Sequence, residues 1–304
     1  MEQVRDIHGT LAAYTFIYLF HMPLFIIVTG YFSRSFGVAK DRSVKLVTSL
    51  VVPYLIFQTA YICFERYVGG AHVRFSLYDP YGLMWFILAL VVWRASTPFW
   101  QRVRRPLAIA VVVSVTSGLF PLPGEFDLHN TIGMIPFYVL GLCLRPSHFE
   151  VLRERGVRIG SAALLAAVAV ACWLWVREVS IKPLFWGDPY KEMRFTALEG
   201  MTVKLGLLAA CTVISFAVLA VVPRRHTWFT RLGANTLYVY LLHGFVVYFA
   251  RYQGLFEEDW THTMPGALVL AAGAAALAVA LSLPPVVRVF RPVMEPELGW
   301  AFRR

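Results

Sequence analysis

The chain alternates long apolar runs with short polar connections, and the runs are unbroken rather than striped. Nine can be counted, at 11–32, 46–64, 81–93, 107–122, 130–144, 159–176, 205–222, 234–250 and 265–287. A helix needs about 20 apolar residues to cross the hydrocarbon core of a bilayer. A run that is apolar on every face presents no watery side. The pattern therefore predicts an all-α, polytopic transmembrane helix bundle of about nine spans. The third run is short, so Tyr78 and Trp100 are expected to complete it, or it tilts little. No internal repeat of useful length is visible, and the Ala-rich stretch 271–280 reads as small-residue helix packing. Residues 1–304 form a single integral-membrane domain in this reading, with no soluble domain.

Charge sharpens the picture by assigning sides. When alternate connections are grouped, one set holds 19 of the 28 lysines and arginines, including Arg34, Arg94, Arg102, Arg104, Arg105, Arg145, Arg224 and Arg225. The other holds nine, among them Arg66, Lys182, Lys191 and Lys204. Lysine and arginine accumulate on the cytoplasmic side, so the first set is cytoplasmic and the C-terminus lies there too. Nine spans then put Met1 to Thr10 outside. A polar leader carrying Glu2, Arg5 and Asp6 would be placed there more naturally by a preceding helix, so a further first span is expected upstream.

Composition agrees: 58% of residues are hydrophobic and only 15% charged. The net charge of +10 would suggest nucleic acid if it lay on one soluble face. Here it is spread over short loops and marks topology against anionic lipid, which leaves no nucleic-acid partner. Cys63, Cys143, Cys172 and Cys211 lie in or at the ends of apolar runs, with no CxxC pair and no metal-ligand spacing, and read as small core residues. No metal site is expected. No cleavable leader is visible, because the first run is too long and lacks a small-residue cleavage site.

Two ionisable side chains sit inside spans. Leu11 to Phe32 carries no Asp, Glu, Lys or Arg over 22 residues, yet places His21 and Pro23 near its centre. Such groups face a protein interior or a wet cavity, which makes His21 a functional candidate. The alternative is a histidine satisfied by a carbonyl that the proline frees. His243, nine residues past Ala234, lies at similar depth in the eighth run at about 1.5 Å per residue, and the remaining six histidines fall in connections. The connection 177–204 is rich in aromatic and charged residues, with Phe185, Trp186, Asp188 and Tyr190 able either to hold a sugar or to anchor helix ends. Glu199 and Lys204 are expected to snorkel at a span edge.

The motifs Phe20-His21-Met22-Pro23-Leu24-Phe25 with Gly30-Tyr31-Phe32, then Pro53-Tyr54, Trp85-Phe86, Pro136-Phe137 with Gly141, and Asn235-Thr236-Leu237 with Tyr240-Leu241-Leu242-His243 follow one another along the whole chain. In that order they resemble the integral-membrane acyltransferase family 3, on the branch similar to fucose 4-O-acetylases. The resemblance implies transfer of an acetyl or other short acyl group from acetyl-coenzyme A to a hydroxyl of a carbohydrate or similar envelope or metabolite acceptor. It also implies an integral protein of the bacterial plasma membrane. Acetyl-coenzyme A is then a substrate and no bound cofactor is required. Members typically have ten spans, with an arginine and a histidine on the first. Arg5 and His8 do not match that pattern, so the first helix is expected to be missing and the activity of this chain is open.

In such an enzyme a neutral imidazole removes the proton of the acceptor hydroxyl as it attacks the thioester, while hydrogen-bond donors stabilise the oxyanion. His21 and His243 are the mid-span bases available. Tyr31, Trp85, Asn235 and Tyr240 are candidates to line the acceptor site, or simply to pack. Arg102, Arg104, Arg105, Arg224 and Arg225 could attract the phosphates of coenzyme A, or serve only as topology determinants. Two rival readings stay open: a transporter or flippase, suggested by proline-interrupted spans with intramembrane histidines, and a truncated non-catalytic member of the family.

Overall fold

The computed structural model describes residues 8–35, 46–223 and 228–296, and every regular element among them is helical. In chain order these are α1 (His8–Tyr18), α2 (His21–Ser33), α3 (Val52–Tyr67), α4 (Trp85–Arg102), α5 (Pro106–Ser117), α6 (Leu128–Gly133), α7 (Ile135–Cys143), α8 (Pro146–Val151), α9 (Arg155–Trp175), α10 (Ala197–Val221), α11 (Trp228–Gly233), α12 (Thr236–Tyr252), α13 (Met264–Leu281) and α14 (Pro284–Met294). A π-helical turn at Val47–Val51 leads into α3.

Six helical stretches among the described residues are long and apolar enough to cross a membrane: Gly9–Ser33, Val47–Tyr67, Gly82–Arg102, Arg155–Trp175, Ala197–Val221 and Met264–Leu281. The first joins α1 and α2 across a kink. Several of the nine apolar runs behave differently from the simple expectation. The fourth is helical only over the 12 residues of α5, and the fifth is split into α6 and α7. The eighth becomes the 17-residue α12. The third continues past Trp93 to Arg102, which moves Arg94 from an expected connection into the middle of α4.

Prolines account for the breaks. Pro23 has no N–H for the carbonyl of Leu19, and its ring crowds that carbonyl, so the chain bends at Phe20 (φ −127°, ψ −25°). Pro136 acts likewise behind the Met134 break between α6 and α7. Leu283, which precedes Pro284, is extended and ends the ninth run as a helix. The helices α9 and α13 expose Val170, Trp173, Leu174, Leu268 and Val269. Surfaces this apolar are compatible with lipid rather than water, and the protein is an integral membrane protein.

Contacts divide the chain into two compact units, one made of residues 1–10, 40–91 and 224–304 and the other of 11–39 and 92–223. Within the second unit the closest packing is between α2 and α7. A Cβ added at Gly30 would lie 2.1 Å from the Tyr138 carbonyl oxygen, and one added at Gly141 would lie 2.1 Å from that of Ile27. The two backbones touch because both positions lack a side chain. Polar pairs then fix the register: Trp93 Nε1 donates to the Thr131 carbonyl at 2.8 Å, and Thr97 Oγ1 pairs with the Tyr138 hydroxyl at 2.7 Å. Arg34 closes the end of α2 by donating to the Tyr31 and Leu144 carbonyls.

In the first unit the fully buried Gln58 clamps the connection after α3. Its amide donates to the Ser76 and Asp79 carbonyls at 2.9 and 2.8 Å and accepts from the Tyr81 N–H at 3.0 Å. Tyr61 reaches from α3 to α12, donating to the Leu241 carbonyl at 2.8 Å and stacking on Phe245 at 4.1 Å. Gly244 leaves the room for its hydroxyl.

Candidate active-site residues

The residues singled out from sequence fall in both units. In the first unit, the start of α4 and the middle of α12 bring a series of rings together. Trp85 meets Phe86 (5.9 Å), Phe86 meets Tyr240 (5.8 Å), and Tyr240 meets His243 (6.2 Å, centroid to centroid). Residues 240 and 243 are one turn apart, so they share a face of α12. His243 Nδ1 lies 2.8 Å from the Val239 carbonyl one turn back. That carbonyl can only accept, so Nδ1 carries the proton in the neutral ring, and Nε2 is left with its lone pair.

Tyr240 and Asn235 are committed elsewhere. The Tyr240 hydroxyl donates to the Leu83 carbonyl, and the Asn235 amide donates to the Ser282 carbonyl at 2.9 Å. Asn235 thus ties the N-terminus of α12 to the end of α13, where the last turn leaves a carbonyl without a helical partner. Both residues hold the half-buried His243 helix in place rather than offering free donors.

In the second unit His21 is the first residue of α2, directly after the kink. Its ring lies beside Tyr18 (5.8 Å) and Phe25 (6.3 Å), and Nδ1 is buried with no hydrogen-bond partner among the described residues. The carbonyl expected to satisfy it does not do so at Nδ1. Tyr31, at the other end of α2, packs edge-on against Phe149 at 4.8 Å and lies under the Arg34 guanidinium at 3.8 Å. With Pro146, Glu150 and Arg153 it lines an open groove of about 420 Å³. Arg102, Arg104 and Arg105 are exposed around the turn between α4 and α5. Arg224 and Arg225 lie outside the described residues.

Three polar residues of the second unit escaped the sequence reading. Arg94 was assigned to a connection but sits inside α4, its Nε buried and without a hydrogen-bond partner among the described residues. Lys204, expected to snorkel, is 6% exposed; α10 begins as early as Ala197, capped by the reciprocal Thr196 and Glu199 bonds, which draws the lysine inside. His129, expected in a connection, is 8% exposed on α6, and its Nε2 accepts the Leu122 N–H at 3.0 Å. Burial and the nearby Lys204 ammonium both push its imidazole below the ordinary value. Their only sequence signal was position beside an apolar run, which does not distinguish a loop from a longer helix.

Tyr190 anchors the connection above these groups. Its ring wedges between Gly118 and Gly200, and its hydroxyl donates to the Val115 carbonyl at 2.6 Å. Burial pushes this phenol up to about 12. A group whose value is raised on folding contributes stability that is present below its unfolded value, about 10, and lost as pH rises through the folded one. Thermal melts between pH 10 and 12 are therefore expected to show a falling midpoint. In Tyr190→Phe the fall is smaller, while stability at neutral pH drops by about 1 kcal/mol from the lost hydrogen bond. An unchanged alkaline slope in that variant refutes the assignment.

Against this geometry, the family profile described as an acyltransferase domain matches residues 3–283. The chain belongs to this acyltransferase family. The match covers both compact units and every helix from α1 to α13, including His21, Tyr31, Trp85, His129, Lys204, Tyr240 and His243. No curated protein and no solved structure matches the chain significantly. Family membership and the apolar helices together make the protein a membrane acyltransferase in general terms.

Proposed function

We propose that the protein is a membrane O-acyltransferase that moves an acetyl or other short acyl group from acetyl-coenzyme A to a hydroxyl of a carbohydrate or similar envelope or metabolite acceptor, on the fucose 4-O-acetylase-like branch of the family and in a bacterial plasma membrane. The observation that carries the reading is the orientation of His243. A ring whose Nδ1–H is held by its own helix presents Nε2 as an aligned base. In the reaction Nε2 takes the proton of the acceptor hydroxyl, the hydroxyl oxygen bonds to the thioester carbon, and the carbon–sulfur bond breaks. The proton then passes to the departing thiolate, so no covalent enzyme intermediate is needed.

Trp85 lies one ring away from Tyr240 and carries an indole N–H that can donate to the developing oxyanion. Tyr240 and Asn235 keep α12 in register beneath it. Within the second unit, His21 is a candidate polar group for binding the acceptor, and Tyr31 offers an aromatic face for a sugar or for the adenine of the donor. Arg102, Arg104, Arg105, Arg224 and Arg225 supply positive charge for the phosphates of coenzyme A on the cytoplasmic side, in a topology of about nine spans with the C-terminus inside.

The test is direct. Membranes containing the full chain are incubated with radiolabelled acetyl-coenzyme A and host glycans, and label in the glycan fraction is measured. Transfer that depends on the protein is the expected result; its absence with every acceptor fraction sinks the reading.

A further inference from the structure

The second unit carries a groove of which the proposed chemistry uses only Tyr31. Val28, Tyr31 and Phe32 of α2 line it together with Phe149, Glu150 and Arg153, around about 420 Å³ of space. A second open space, of about 520 Å³, adjoins it at Tyr31 and Phe32 and ends at Arg34 and Ser35. Together they make a trough that is apolar along α2 and basic at its end. Val28, Tyr31 and Phe32 belong to the last turns of the span Gly9–Ser33, and Arg155, two residues past Arg153, opens the span Arg155–Trp175. The trough therefore lies at one boundary of the membrane. Phe32 is 71% exposed, so its ring meets lipid rather than protein, and arginines at this level meet lipid phosphates.

Arg34 is held in place before any ligand arrives. Its Nε donates to the Tyr31 carbonyl at 2.9 Å and its Nη1 to the Leu144 carbonyl at 2.7 Å, while the guanidinium covers the Tyr31 ring at 3.8 Å. The Gln101 amide holds the Arg34 carbonyl at 2.7 Å. These bonds leave Nη2, with its two N–H groups, free among the described residues. Folding has thus already met the ordering cost of this side chain. Arg153 is exposed and forms no ion pair with Glu150 among the described residues.

Charge selects the headgroup. Arg34 and Arg153 against Glu150 leave a net charge of +1 in the trough, the complement of a phosphodiester with one negative charge. The ionised Glu150 carboxylate only accepts hydrogen bonds, so it repels a phosphate and suits a hydroxyl. A choline headgroup offers it no N–H or O–H. An ethanolamine headgroup cancels the charge of its own phosphate and leaves the +1 unmet. We infer that the trough binds one anionic glycerophospholipid with a hydroxylated headgroup, of which phosphatidylglycerol is the simplest. The phosphate meets Arg34 and Arg153, a headgroup hydroxyl meets Glu150, and an acyl chain runs along Val28, Phe32 and Phe149. The binding does not depend on the function proposed above.

The experiment uses the full chain in maltoside detergent micelles and follows its thermal midpoint as lipid is added. Phosphatidylglycerol is expected to raise the midpoint saturably, by about 5 °C at roughly a hundred-fold excess over half-saturation. Phosphatidylcholine, phosphatidylethanolamine and glycerophosphoglycerol, which is the same headgroup without chains, are expected to give no such rise. Arg153→Gln changes an exposed side chain and is expected to raise the half-saturating lipid about ten-fold, as loss of a charge-assisted bond does. Arg158→Gln makes the same charge change at an exposed position of α9 that does not line the groove, and is expected to leave half-saturation unchanged. With wild-type protein alone, phosphatidylglycerol carrying a diazirine in its acyl chain is expected to label Val28, Phe32 or Phe149, read by mass spectrometry. A non-saturating response, an equal response to either neutral lipid or to the free headgroup, equal half-saturation in Arg153→Gln, or label confined to other residues overturns the site. Displacement of the label by coenzyme A also overturns it and gives the groove to the acyl donor. If lipid binding stands while acyl transfer to glycans fails, the proposed function falls and the lipid site remains.

Discussion

Replacing Gly141 by leucine is expected to leave no folded protein. The position faces backbone, since its added Cβ would sit 2.1 Å from the Ile27 carbonyl oxygen and 2.8 Å from the Tyr31 nitrogen. A rotamer change cannot relieve a clash at Cβ, so α2 and α7 must separate. Any shift of α7 away from α2 also strains the contacts that the fully buried Tyr138 of α7 makes with Trp93 and Thr97 of α4. Overpacking of a tight interior costs about 1–3 kcal/mol even where neighbours can yield, and here the neighbour is a helix backbone. Gly141→Ala should therefore lower stability by about 3 kcal/mol or more, and leucine should go further. Gly206 on α10 has open space around it, and Gly206→Ala is the matched control, expected to be neutral or slightly stabilising because alanine favours the helix. Size-exclusion profiles and thermal melts of the detergent-solubilised variants decide; a monodisperse Gly141→Leu with a wild-type melt would refute the packing argument.

His243→Ala is expected to lower acyl transfer by about 10²- to 10⁴-fold, the usual contribution of a positioned general base. The half-buried ring's hydrogen bond is to its own helix and its ring neighbour is Tyr240 one turn away, so removing it leaves the contacts between helices in place, and the variant should melt near wild type. His243→Gln can hydrogen-bond but cannot carry the proton, and should be as inactive as the alanine variant. His21→Ala removes a ring placed among Tyr18 and Phe25 and is expected to reduce transfer by less than about ten-fold, below the range for loss of a base. Initial rates with radiolabelled donor separate the two histidines. If His21→Ala abolishes transfer and His243→Ala does not, the base is His21.

The contrast between the histidines shows how far sequence reasoning reached. Both were found because an imidazole in an apolar run is conspicuous. The sequence put His21 ahead of His243; the order proposed above is the reverse, and it rests on one hydrogen bond at His243 and its absence at His21 Nδ1 among the described residues. Tyr240 and Asn235 were found through the motif that carries the resemblance, yet their polar atoms are occupied by Leu83 and Ser282, residues distant in sequence. Lys204 and Arg94 were misplaced because an apolar count ends at the first charge, whereas a helix continues if its charge faces the protein interior. In α10 the capping pair Thr196 and Glu199 was the available clue that the helix began before the apolar run did.

What the sequence determined by itself was the class of molecule. Its uninterrupted apolar runs call for helices, because in lipid a helix satisfies its backbone within one segment, whereas the breaks near Pro136 and Pro284 inside runs read as single spans came from the structure. Its ordered motifs pointed to the acyltransferase family to which the chain belongs. Only the tertiary structure decided which polar atoms are left without partners. That outcome depends on contacts such as Gly30 with Gly141 and Tyr190 with Gly118 and Gly200, where the decisive feature is a missing side chain on one segment beside a backbone or ring from another.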